Sequence, residues 1–84
     1  MTTGPYSGED VVKVLVNNGP FELVRRSGSH AQLRWEPPDS HDSDARTVTV
    51  PMHDELRTGT LQSIAEQAGA KHMTEFLEWL DRNR

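Results

Sequence analysis

FELVRRSGSHAQLRW, residues 21–35, reads as two short strands joined by a tight turn. In its first half Phe21, Leu23 and Arg25 alternate with Glu22, Val24 and Arg26. That is the period of two that a pleated strand imposes, with one mostly apolar face. Ser27, Gly28 and Ser29 supply the turn. In the second half Ala31, Leu33 and Trp35 point one way, and Gln32, Arg34 and Glu36 the other. A Gly-Ser turn has no need of a histidine. It has no need of arginines on both sides in a chain that is otherwise acidic.

The flanking segments extend the hairpin into a sheet with helical cover. Downstream, PPDSHDSDA (37–45) is a loop, because two prolines and three aspartates do not hold a ladder. RTVTVP (46–51) is a third strand, with Val48 and Val50 inward, Thr47 and Thr49 outward, and Pro51 as its end. Upstream, SGEDVVKVLVNNG (7–19) has helical spacing. Ser7 and Asp10 have the spacing of a capping box. Val12, Leu15 and Val16 form one stripe with Val11 beside it, and Gly19 and Pro20 stop the helix.

The last third is helical in two pieces. Leu61, Ile64, Ala65 and Ala68 form one stripe, with Thr58 or Thr60 as candidate caps and Gly69 as the terminator. Met73, Phe76, Leu77 and Leu80 form another, with Trp79 at its edge. Consecutive short strands make an antiparallel meander, and striped helices must cover one of its faces. The expected fold is therefore α+β, a two-layer sandwich. A split C-terminal helical segment packs on one face of a three-stranded antiparallel sheet, and the other face stays open.

Composition bounds the rest. A chain of 84 residues is expected to form one domain over 1–84, with residues 1–6 mobile and 37–46 an acidic loop. A domain this size buries only about 60% of its unfolded surface, so function belongs on an exposed face rather than in a deep cavity. There is no cysteine, hence no disulfide framework and no thiolate metal site. No apolar run reaches the roughly 18 residues needed to cross a membrane. MTTGPYSGED lacks the basic and apolar regions of a secretory signal, so a cytoplasmic location is expected. The formal net charge is −4, yet Arg25, Arg26, Arg34, Arg46 and Arg57 all fall mid-chain. A local basic patch on an acidic protein follows from that arrangement, and arginine is the better residue for forked phosphate contacts.

Parity selects one candidate site. If the second strand begins at His30, then His30, Gln32 and Arg34 share the open face, with Thr47 and Thr49 on the neighbouring strand. A histidine beside arginine there suits proton transfer next to a held phosphate. The alternative is a turn histidine with no chemical duty. His30, His41, His53 and His72 lack the short spacing of a helical zinc motif, and no metal or other cofactor is expected. Phosphate-cradling Gly-rich loops and a Gly-x-Ser-x-Gly elbow are likewise missing.

NNGPFELVRRSGSHAQLRW, then TVTVPMH, ELRTGTLQSIAEQAG and EFLEWL, together resemble the HicA family of toxins from type II toxin–antitoxin modules. The resemblance rests on three ordered segments: Gly-Ser-His, Val-Pro-x-His and Gly-Thr-Leu-x-x-Ile-x-x-x-Ala-Gly. It spans about residues 8 to 80. It implies a double-stranded-RNA-binding-like fold in the order α-β-β-β-α. It also implies a small ribonuclease that cuts mRNA and a HicB-like antitoxin that silences it. The family's essential histidine corresponds to His30, in Gly28-Ser29-His30. Pro51 and His53 match the second segment, and Gly59, Thr60 and Leu61 the third. Ser29, Arg25, Arg26, Arg34 and His53 are the accompanying candidates for RNA contact. The rival expectations are a non-catalytic RNA-binding module and a protein-interaction module on the same fold. An intact Gly-Ser-His separates the first from a nuclease, and arginines on the open face argue against the second.

Overall fold

The computed structural model describes residues 6–36 and 45–84. Its elements run α1 (Gly8–Asn17), β1 (Glu22–Ser27), β2 (His30–Trp35), β3 (Arg46–Pro51), α2 (Thr58–Ala68) and α3 (Met73–Asn83). The strands form one antiparallel sheet in the order β1-β2-β3. α1 lies across the sheet, α2 packs mainly on β3, and α3 packs on α1 and α2. This is the expected two-layer α+β arrangement, with the C-terminal helical part split at Gly69.

The core forms between the helices and the inward face of β2 and β3. Ala31, Leu33, Val48 and Val50 are buried, as alternation requires. Leu61, Ile64 and Ala65 from α2, and Phe76 and Leu80 from α3, meet them. Each buried aliphatic side chain contributes about 1.5–3 kcal/mol by leaving water. The buried stripe of α1 is Val11, Val14 and Leu15, whereas Val12 and Val16 are half-buried. The expected Val12–Leu15–Val16 stripe is thus rotated toward Val14. At the helix start, a Cβ on Gly8 would collide with the carbonyl oxygen of Pro51. That close approach puts the Gly8 side of the helix against the sheet.

Helix ends follow local chemistry. Ser7 and Asp10 form the expected capping box: the Asp10 N–H donates to Ser7 Oγ at 3.0 Å, and the Ser7 N–H to Asp10 Oδ2 at 3.4 Å. Neither threonine caps α2; its N-cap is Arg57, with no side-chain cap bond. Gly69 ends α2 with φ at 88°, the left-handed conformation that glycine adopts without strain. Of the end expected to be mobile, residues 1–5 lie outside the described residues. Tyr6 is held: its hydroxyl donates to Asp81 Oδ1 at 2.6 Å, and the Arg84 guanidinium sits 4.3 Å from its ring centroid. The acidic loop lies outside the described residues over 37–44, and Arg46 is already the first residue of β3.

β1 departs from simple alternation. Leu23 pairs with Leu33, but the next pair is Arg25 with Gln32, so Val24 is an extra, bulged residue. The bulge reverses the parity of everything after it. Arg25 falls on the open face with Gln32, and Arg26 falls opposite Ala31, on the helix side of the sheet. The alternation read from the sequence had put Arg25 with the apolar face and Arg26 with the polar one. All six β1 residues remain exposed.

Candidate functional site

Ser27 and His30 close the hairpin as a cross-strand pair, leaving Gly28 and Ser29 as a two-residue turn. Gly28 has φ of 56° and nothing within 4 Å of where a Cβ would stand. Conformation, not space, calls for glycine there. The turn is tied down from behind by main-chain bonds. The Met52 N–H donates to the Ser29 carbonyl at 2.6 Å, and the Gly8 N–H donates to the His53 carbonyl at 2.9 Å. His30 also pairs with Pro51 across β3.

On the open face, the second row of the sheet is Arg25–Gln32–Thr49. With Ser27 and His30, these residues line a shallow depression of about 250 Å³. One guanidinium, one imidazole, two hydroxyls and one carboxamide therefore share a small polar surface. Ser29 Oγ lies 3.3 Å from His30 Nδ1. When Nδ1–H donates to Ser29, Nε2 is the basic nitrogen; when Ser29 donates, Nε2 carries the proton. The contact is compatible with either half of acid–base chemistry.

The other candidates are placed elsewhere. Arg34 shares the parity of His30 but sits four residues along the strand, roughly 13 Å away. It lines a separate depression with Pro20, Glu22, Trp35 and Glu36. Its guanidinium pairs with Glu36, with Nη2 2.8 Å and Nε 2.9 Å from Oε2. Arg26 is on the other face. His53 is exposed, is absent from the residues lining the His30 depression, and is engaged through its main chain. Gly59 and Thr60 lie in the first turn of α2, and nothing stands within 4 Å of a Cβ at Gly59. Among the described residues no three His, Asp or Glu side chains gather as a metal-holding group. Sequence reasoning did not single out Ser27 and Gln32 as site residues. The signal for Gln32 was its parity with His30; Ser27 had been assigned to the turn.

A scan against protein families matches the model described as HicA toxin of bacterial toxin-antitoxin over residues 8–70, well over half of the chain. The chain belongs to the HicA toxin family. The match covers α1 through α2, so Gly28-Ser29-His30, Pro51, His53 and the Gly59-Thr60-Leu61 segment all fall within it. Searches of curated proteins and of solved structures gave no significant match. A HicA-family chain is the toxin of a toxin–antitoxin pair and therefore has an antitoxin partner. No helix among the described residues is long and apolar enough to cross a membrane.

Proposed function

We propose that this HicA-family toxin is an endoribonuclease that cleaves mRNA without a metal ion, acts in the cytoplasm, and is neutralised by a HicB-like antitoxin. The observation that carries the reading is the row placing Arg25 beside His30 on the open face. RNA contains its own nucleophile. The 2′-oxygen attacks the adjacent phosphorus, the P–O5′ bond breaks, and a 2′,3′-cyclic phosphate remains. His30 takes the 2′-hydroxyl proton or supplies one to the departing 5′-oxygen, a contribution typically worth 10²–10⁴-fold. The Arg25 guanidinium faces the charge that builds on the phosphoryl oxygens. Gln32, Ser27 and Thr49 offer hydrogen bonds to a ribose or a base edge.

The test is induced expression of wild type and His30→Ala, together with a cleavage assay on single-stranded RNA in excess EDTA. Wild type should arrest growth, shorten mRNA lifetimes and leave cyclic phosphate ends. His30→Ala should do none of these while keeping its circular dichroism spectrum. Equal toxicity of the two proteins would remove His30 from the chemistry, and a requirement for added Mg²⁺ would remove the metal-free route.

A further inference from the structure

The two edges of the sheet are treated differently. On β3 the Thr49 N–H donates to Gln67 Oε1 of α2 at 2.8 Å, and Gln67 Nε2 donates onward to Ser63 Oγ at 3.0 Å. An α2 side chain thus satisfies a group that would otherwise invite another strand. β1 has no such cover. Its six residues are all exposed, and they include the only exposed large apolar side chains among the described residues, Leu23 at 45% and Val24 at 52%. An uncovered apolar edge is a template for strand addition.

From this asymmetry, and resting on the family's antitoxin, we infer that the outer edge of β1 receives an extended segment of the antitoxin, apolar at one end and acidic at the other. The segment adds a fourth strand to the sheet. Its apolar residues cover Leu23 and Val24, and its acidic residues face Arg25 and Arg26. Neither arginine is in an ion pair among the described residues. A second copy of the chain fits less well. Its β1 brings two arginines but one acid, Glu22, so in any antiparallel two-fold pairing at least one cation of each strand lacks an acid. Arg25 and Ser27 belong both to this strand and to the His30 depression. A strand added outside β1 widens the open face and brings its own side chains up to the depression. Docking at the edge would then also close the site.

The test uses the full chain, free and co-expressed with the HicB-like antitoxin of the proposed function. Hydrogen exchange of the amides over residues 22–27 is followed in both states. In the complex, the outward amides should exchange about tenfold more slowly or better. Leu23→Lys/Val24→Lys alters two exposed side chains outside the proposed chemistry. It should cleave RNA like wild type but bind the antitoxin about tenfold or more weakly. Unchanged β1 exchange in the complex, or wild-type affinity of the double variant, would overturn the docking edge. Protection of β1 in a dimer of the free chain would assign the edge to a second copy and overturn the antitoxin assignment. Protection in a complex whose free wild-type toxin cuts no RNA would uphold the edge and sink the nuclease reading instead.

Discussion

Arg25 and Gln32 stand opposite one another across the hairpin, the next pair of the open face after Ser27 and His30, because the two-residue Gly28-Ser29 turn sets that register. The cation beside the candidate imidazole is therefore Arg25, not Arg26 or Arg34. On the proposed chemistry, Arg25→Ala should lower RNA cleavage by about tenfold to a hundredfold, the scale of losing a charged donor to a developing oxyanion. Arg26→Ala and Arg34→Ala should lower it far less, since one lies on the opposite face and the other is paired with Glu36. Initial rates on a defined oligonucleotide check this. Equal loss in Arg25→Ala and Arg26→Ala would contradict the register that the turn sets.

Deleting Val24 should be tolerated. Without the extra residue, Leu23 still faces Leu33, and Arg25 still faces Gln32, now in an unbroken ladder. We expect cooperative thermal unfolding and retained cleavage. Deleting Leu33 from the buried face of β2 should abolish both, because it flips half a central strand. A Val24 deletion that is inactive yet folded would mean that the bulge itself shapes the site.

The start of α1 should be sensitive at two neighbouring positions for different reasons. Ser7→Ala removes the cap and should cost about 1 kcal/mol, lowering Tm by roughly 4–8 °C in a domain this small. Gly8→Ala should cost more, because its new methyl meets the Pro51 backbone, which is not the yielding end of a side chain. Calorimetric melts of the two variants should therefore rank Gly8→Ala below Ser7→Ala. The reverse ranking would mean that the helix can lift off the sheet at little cost.

Gly69 makes two demands that can be separated. Its φ of 88° penalises any L side chain, by about 1 kcal/mol, and a Cβ there would also lie 2.7 Å from the Arg46 guanidinium carbon. Gly69→Ala should be partly rescued by Arg46→Ala, which removes the collision and leaves the conformational cost. Urea midpoints for the four proteins of that cycle give the coupling, and strictly additive midpoints would show that Arg46 simply swings aside.

Much of this was legible in residues 21–35. The alternation of Ala31, Leu33 and Trp35 set the inward face of β2, and that parity placed His30 on the open side. Glycines and the Ser7–Asp10 box marked three helix ends correctly. Val24 was harder. Two adjacent apolar residues in a short strand fit either alternation, and only pairing with β2 decides which one is extra. The distance of Arg34 from His30 was hidden for a related reason. A shared face does not imply contact, since four residues of strand exceed the reach of the side chain and Glu36 is nearer. Threonine propensity suggested a cap for α2, but the chain enters that helix one residue earlier, at Arg57, where no side-chain oxygen is at hand.

The hitch between the turn and the rest of the molecule is made of main-chain groups: Met52 N–H to Ser29 carbonyl, and Gly8 N–H to His53 carbonyl. At Ser29, Met52 and His53 side-chain replacement leaves the bonding groups in place, short of a proline at Met52, whereas Gly8 is held to glycine by the Pro51 backbone. The neighbourhood of the imidazole is thus insulated from mutational drift. The exposed His53 side chain can change without moving the turn, while Met52, which packs against the core, stays apolar. A toxin with this construction can change its outer surface, and with it the antitoxin it answers to, while the seat of His30 stays in place.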